Sequence, residues 1–187
     1  MTGRLTVEQI VSVDGYAAER DGGIRFMQAA ETGNANDADQ LAFLERVDAI
    51  LLGANTYRMF ADYWPKADPA VEVVAEPINR LPKFVMSNSL TDAPWGEDAV
   101  EVLRGDAADS VSELKERFRG IVVWGSLTLA DALFEAGLVD ELRLRIVPVL
   151  IGTGRSFTPA GLGERRLHLD RVVTHPSGHV GSTYRLS

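Results

Sequence analysis

Two stretches decide the fold: Ala49-Ile50-Leu51-Leu52-Gly53-Ala54-Asn55-Thr56-Tyr57 and Ile121-Val122-Val123-Trp124-Gly125-Ser126-Leu127-Thr128-Leu129. Each is a short unbroken apolar run that stops at glycine and passes into residues with helical spacing. An apolar run of strand length with no alternation is the signature of a strand buried on both faces, as in a parallel sheet. Ser126 is placed to cap a helix through Leu129, Leu133 and Phe134, which Gly137 ends.

Working outward, Arg4 to Val13 alternates, with Leu5, Val7, Val11 and Val13 on one side, and reads as a half-buried strand closed by Asp14-Gly15. A helix is expected over Asp37 to Val47, a short one over Thr56 to Phe60, and a strand over Lys83 to Met86. The Asp62–Pro82 stretch gives no clear pattern. A short strand fits Ala99 to Leu103, and Ser110-Val111-Ser112-Glu113 has the spacing of a capping box. Leu142, Leu144 and Ile146 alternate with Arg143 and Arg145, predicting a strand with one polar face. Two last strands, near Leu167–Thr174 and Val180–Leu186, flank a turn at Pro176-Ser177-Gly178. The sum is an α/β fold in one domain over residues 1–187, with about eight strands, about four helices, a mostly parallel sheet and an antiparallel C-terminal edge.

Composition narrows the function. With 45% apolar residues the chain can fill a core, which excludes disorder. The absence of cysteine excludes disulfides, thiol nucleophiles and cysteine-held zinc or iron–sulfur clusters. A net charge of −8 argues against a nucleic-acid partner. The N-terminus shows no signal-peptide pattern and no apolar run is long enough to span a membrane, so the expectation is a cytoplasmic protein. His175 and His179 are separated by Pro176 and Gly178, which break the helix that a metal-binding pair at this spacing requires, and no metal is expected.

The chemistry falls on the two glycine turns. A helix start exposes unpaired N–H groups and partial positive charge, and glycine lets a phosphate approach the backbone. Either turn could equally be a tight connection with Ser126 as a plain cap. Neither matches a dinucleotide or phosphate-loop fingerprint. Asp14 is the best-placed single carboxylate, although Asp-Gly is also common turn chemistry. Asp140-Glu141 has the composition of a solvated strand start.

The motifs, taken together and in order, resemble the dihydrofolate-reductase-like RibD C-terminal domain family. Ser12-Val13-Asp14-Gly15-Tyr16 is similar to its opening S-L-D-G motif, and Asp48 to Tyr57 to its D-x-x-L-L-G-R-x-T-Y segment, with Tyr63-Trp64-Pro65 as the tail. Trp124 to Leu129 resembles its glycine turn, and Gly137-Leu138-Val139-Asp140-Glu141-Leu142 through Gly152-Thr153-Gly154 its G-L-V-D-E-L…P-V-L-L-G-x-G block. The resemblance implies a bound NADPH that supplies the hydride. It places Gly53, Ala54, Asn55, Thr56, Ser87, Asn88, Gly125, Ser126, Leu127 and Thr128 along the cofactor, and Asp14 and Glu141 against the substrate. It also implies a homodimer.

The function this implies is NADPH-dependent reduction of a pyrimidine- or pterin-like substrate, with 5-amino-6-(5-phosphoribosylamino)uracil reductase of riboflavin biosynthesis as its best-named version. The chain lacks the cysteines and the length for the deaminase domain of the full riboflavin enzyme. Ala54 stands where the family carries arginine. Two alternatives remain: a dihydrofolate reductase-type activity, with Asp37 as the helix carboxylate but no Pro-Trp pair after the first loop, and a non-catalytic nucleotide-binding module.

Overall fold

The computed structural model describes residues 2–28 and 35–187, with the side chains of residues 35–37 also outside the description. Its centre is an eight-stranded sheet. In chain order the strands and helices are β1 (Arg4–Ser12), β2 (Tyr16–Glu19), α1 (Ala35–Leu44), β3 (Ala49–Gly53), α2 (Ala54–Tyr63), α3 (Ala75–Arg80) and β4 (Lys83–Met86). Then follow β5 (Pro94–Trp95), β6 (Asp98–Ala99), β7 (Glu101–Leu103), α4 (Ala107–Arg117), β8 (Gly120–Trp124), α5 (Leu127–Glu135), β9 (Glu141–Val147), β10 (Gly154–Ser156), β11 (Leu167–Thr174) and β12 (Val180–Leu186). The sheet order is β11-β12-β9-β1-β8-β3-β4-β7, with every pair from β9 to β7 parallel and β12 and β11 added antiparallel. Among the described residues there are five α-helices, the fifth being α3 in the stretch whose composition gave no pattern.

The apolar runs build two cores. Ala49, Leu51, Ile121, Val123, Leu5, Val7 and Leu142 point to one side, where Val111 and Leu114 of α4 and Leu129, Leu133 and Phe134 of α5 cover them. Ile50, Leu52, Val85, Val122 and Trp124 point to the other, under Phe43 and Leu44 of α1, Tyr57 of α2 and Ile78 of α3. Strands sandwiched this way have no solvent face, which is why β3 and β8 carry no polar alternation.

Three local readings are corrected by this packing. β1 is not half-buried: it lies between two parallel neighbours, so Thr6, Glu8 and Gln9 are buried as well as Leu5 and Val7, while Val13 is exposed. α4 starts at Ala107, three residues before Ser110 of the capping box. Asp106 is the cap, accepting hydrogen bonds from Ala108 N–H at 2.8 Å and Asp109 N–H at 3.1 Å, and Ser110 sits inside the helix. The strand of alternating arginines does not have a solvated polar face, because Arg143 is only 4% exposed. The end of α5 follows expectation: Gly137 adopts φ +67°, and the N–H groups of Gly137 and Leu138 bond back to Phe134 and Leu133.

Candidate active site: a cleft between two glycine turns

Gly53 ends β3 and Gly125 follows β8, two adjacent parallel strands paired Leu51 to Val123, so both glycines stand at one level of the carboxyl edge. This is where open α/β sheets bind ligands. A cavity of about 740 Å³ opens there, lined by Gly53, Ala54, Asn55 and Thr56 from the first turn and Gly125, Ser126, Leu127 and Thr128 from the second. Its other walls include Ile10, Ile24, Met27, Phe60, Trp64 and Trp124.

Ser126 does not cap α5. It is the sole non-glycine residue with positive φ among the described residues, at +54°, directly after Gly125 at +53°. Its Oγ accepts the Gly53 N–H at 2.6 Å and lies 3.0 Å from Thr56 Oγ1 and 2.9 Å from the Trp124 carbonyl. The Ser126 N–H in turn donates to Thr56 Oγ1 at 2.9 Å. The serine therefore clamps one glycine turn to the other, and this bonding holds a left-handed conformation that costs an ordinary residue roughly 1–2 kcal/mol. Both glycines are needed for the fit. A Cβ on Gly53 would come within 3.1 Å of Ser126 Cβ, and one on Gly125 within 3.0 Å of Thr56 Oγ1. The Ser126 hydroxyl is spent on the clamp and the residue before α2 is Gly53, so neither helix has a side-chain cap, and the first-turn N–H groups of both are left free at one cavity.

The cavity floor was not foreseen. Glu8, 4% exposed, places Oε1 3.1 Å from Gln40 Nε2 and 3.0 Å from Trp124 Nε1, while Oε2 is ion-paired with Arg143. Arg143 also reaches the Gln40 amide oxygen at 2.6 Å and forms an ion pair with Asp39, which is bridged in turn to Arg171 at 3.2 Å. Gln9 donates from Nε2 to the Gly125 carbonyl at 2.6 Å, tying β1 to the second turn. In sequence the apolar alternation of Leu5, Val7 and Val11 marks Glu8 for solvent and places Gln9 on the apolar side, and Arg143 is 135 residues from Glu8. The one visible signal is Gln9, a polar residue at a position where the alternation of Leu5, Val7 and Val11 calls for an apolar one.

The remaining expected residues lie elsewhere. Glu141 does not line this cavity. It stands opposite Thr6 at the start of β9, roughly 20 Å of strand from the Ser12 level, and is 1% exposed between Arg4 and Arg46. There its carboxylate is a buried counter-charge, not a solvated strand start. Asp14 does not line the cavity. Its exposed carboxylate receives the N–H groups of Ile151 at 3.3 Å and Gly152 at 2.7 Å. Hydrogen bonding from Ser12, then from Gly152 and Ile151, outweighs desolvation and holds its carboxyl below the ordinary range. Asp14 is thus an anion that fastens the loop after β1 to the one after β9, and is poorly suited to donate a proton. Ser87 and Asn88 are also outside the lining: Ser87 Oγ accepts the Leu90 N–H at 3.1 Å, and Asn88 Oδ1 accepts the Gly105 N–H at 2.8 Å. His179 packs in the β11–β12 turn with Nδ1 2.8 Å from Ser177 Oγ; burial, with Arg145 and His175 nearby, lowers its pKa. The Asp37 side chain lies outside the described residues.

A parallel sheet covered on both faces, with an antiparallel C-terminal hairpin and a cleft of free helix N-termini at the carboxyl edge, defines a dihydrofolate-reductase-like domain. The family model for the RibD C-terminal domain matches residues 4–180, and the chain belongs to this family. It is 25% identical over 184 residues to the uncharacterized protein YyaP of Bacillus subtilis (strain 168), covering 97% of this chain and 94% of that one. A solved structure from Shewanella sp. PV-4, described as a candidate riboflavin biosynthesis protein, superposes with a TM-score of 0.79 at 23% identity, covering 100% of this chain and 99% of the other. Dihydrofolate reductase from Enterococcus faecalis complexed with NADP(H) shares the fold, with a TM-score of 0.61 at 14% identity over 100% and 98% of the two chains. Among the described residues no helix is long and apolar enough to cross a membrane.

Proposed function

We propose that the protein is an NADPH-dependent reductase of a pyrimidine- or pterin-like heterocycle, with 5-amino-6-(5-phosphoribosylamino)uracil reductase as its best-named form. The observation that carries this reading is the pair of uncapped helix starts, each behind a glycine, facing one cavity. Such a cradle suits a pyrophosphate: backbone N–H groups supply the hydrogen bonds, and the absence of a Cβ at Gly53 and Gly125 keeps the approach open. When bound, the cofactor supplies the hydride. The chain's own residues do the rest. The Gly53–Thr56 and Gly125–Thr128 backbones hold the phosphates, and the Ser126 clamp fixes their spacing. Phe60, Trp64 and Trp124 form apolar walls suited to a flat ring and to excluding water. The acids of the lining, Glu8 and Glu19, are ion-paired with Arg143 and Arg25, so the proton that completes reduction comes from water at the cavity mouth.

The reading is tested with a panel of aminopyrimidine, pterin and dihydrofolate substrates, following loss of the reduced-nicotinamide absorbance. Oxidation with an aminopyrimidine riboside phosphate supports it. Tight cofactor binding with no turnover on any member would leave a binding module. The same reading carries a homodimer. A bulge at Asp170 turns Leu167, Leu169 and Val172 of edge strand β11 to one face, where Leu169 and Val172 are well exposed, and such a face supports pairing with a second copy. Leu169→Lys should then yield monomers in light scattering.

A further inference from the structure

Gln9 is the one polar residue on the side of β1 that also carries Leu5, Val7 and Val11, all of them buried. It is only 3% exposed, yet it lines the cleft. Its Nε2 donates to the Gly125 carbonyl at 2.6 Å. A carbonyl can only accept, so the amide is held with its nitrogen toward the turn and its oxygen direction is fixed. Among the described residues no group donates to that oxygen. It is also not one of the fully sealed, unpartnered polar atoms, so the little exposure Gln9 keeps falls at the cleft. A buried amide with an unpaired oxygen is costly, and an apolar residue would fill this place without the cost. The bond to Gly125 accounts for the nitrogen and leaves the oxygen unexplained. A ligand that donates to the oxygen explains it.

Register and chemistry narrow the donor. Glu8 stands opposite Trp124, so Gln9 is level with Gly125, on the neighbour of β8 that lies away from β3. It is roughly 5 Å across the sheet from the second glycine turn and about 10 Å from the first. An amide oxygen only accepts, and so does an ionised phosphate, which excludes the phosphates cradled by the turns as its partner. The partner is an O–H or N–H group on the part of the ligand beyond β8.

We propose that Gln9 is a ligand-binding residue of the cleft, whose amide oxygen accepts a hydrogen bond from the nicotinamide-riboside half of the cofactor, from the ring carboxamide or from a ribose hydroxyl. This assignment rests on the reductase reading. It gives the buried amide two tasks: the nitrogen holds the second turn, and the oxygen distinguishes a complete cofactor from its adenosine half.

The test is calorimetric titration of the whole chain, parent and Gln9→Met, with three ligands: NADPH, 2′-phospho-ADP-ribose, which lacks the nicotinamide ring, and adenosine 2′,5′-bisphosphate, which lacks that whole half. Gln9→Met should weaken NADPH by about fivefold or more beyond any change in the bisphosphate. If 2′-phospho-ADP-ribose is weakened with NADPH, the donor is a ribose hydroxyl; if it follows the bisphosphate, the donor is the carboxamide. Equal changes for all three ligands, or none, overturn the proposal and leave Gln9 as a tie to the turn alone. A second measurement needs no variant. In the parent with nitrogen-labelled glutamine, the Gln9 side-chain amide resonance should shift with NADPH and much less with the bisphosphate, and shifts of equal size would overturn the proposal as well. Absence of NADPH binding to the parent removes the reductase reading and this assignment together, whereas binding with an unchanged preference in Gln9→Met removes this assignment alone.

Discussion

Removing the Ser126 hydroxyl separates a clamp between the two glycine turns from an ordinary helix cap. In the folded chain Oγ accepts the Gly53 N–H at 2.6 Å and bonds with Thr56 Oγ1 or the Trp124 carbonyl through its single proton. Ser126→Ala deletes two net hydrogen bonds of about 1 kcal/mol each and leaves a part-buried Gly53 N–H without its partner, so the expected loss is about 2–3 kcal/mol. For a chain of this size that lowers Tm by roughly 4–12 °C. Ser126→Gly loses the same bonds but relieves the left-handed backbone, recovering about 1 kcal/mol. An ordinary cap would give a different series, about 1 kcal/mol for alanine and a few tenths for glycine. The decisive assay is a double-mutant cycle by urea denaturation with Thr56→Val. Thr56 Oγ1 bonds both the hydroxyl and the N–H of Ser126, so the pair should couple by about 1 kcal/mol or more. Additivity within about 0.4 kcal/mol would refute the clamp. NADPH affinity should fall in both single variants, because each frees the two turns to move independently.

Ala54 begins α2 in the cavity lining, and Ala54→Arg should tighten NADPH by roughly tenfold or more over NADH by adding a charge-assisted contact to the 2′-phosphate; equal effects in parallel titrations of the two cofactors would remove position 54 from that phosphate. Glu8→Met leaves Arg143 buried with half its partners and should destabilise the fold by about 3–5 kcal/mol in chemical denaturation, whereas Glu8→Met with Arg143→Met recovers much of the loss; a double variant worse than the single would contradict the pairing. Lys83 is pushed down to about 8 by burial, only partly offset by Asp98. The unfolded chain therefore binds the extra proton between about pH 8 and the ordinary lysine range, and stability should rise with pH across that window. In Lys83→Met that rise should disappear; an unchanged slope in denaturation against pH would assign it to other groups.

How much of this was legible in the sequence depends on which atoms decide each feature. β3 and β8 and the turns after them are fixed by local runs, because a strand buried on both faces needs only apolar residues and a stop. The covered arginine Arg143 was not legible: alternation with Leu142 and Leu144 is the same whether the polar face meets water or a buried carboxylate, and Glu8 and Asp39 sit on elements more than 100 residues away. Ser126 read as a cap because serine before a helix is one in most chains; its positive φ and the approach of Thr56 from α2 reassign the hydroxyl. Glu141 was misplaced because a motif gives order along the chain but not which end of the strand faces the cleft. Register with Thr6 puts it at the amino edge.

A nicotinamide cofactor bound in the cleft between the glycine turns is tested most directly by titrating the chain with NADPH while following tryptophan emission. Trp124 immediately precedes Gly125 and lines the cavity together with Trp64, so both indoles are placed to report on a nucleotide held there. The prediction is saturable quenching at about one equivalent, with a dissociation constant of about 1 μM to a few tens of μM, and a clear weakening in Ser126→Ala. Emission unchanged up to millimolar NADPH, or quenching with the same constant in Ser126→Ala, would contradict the account.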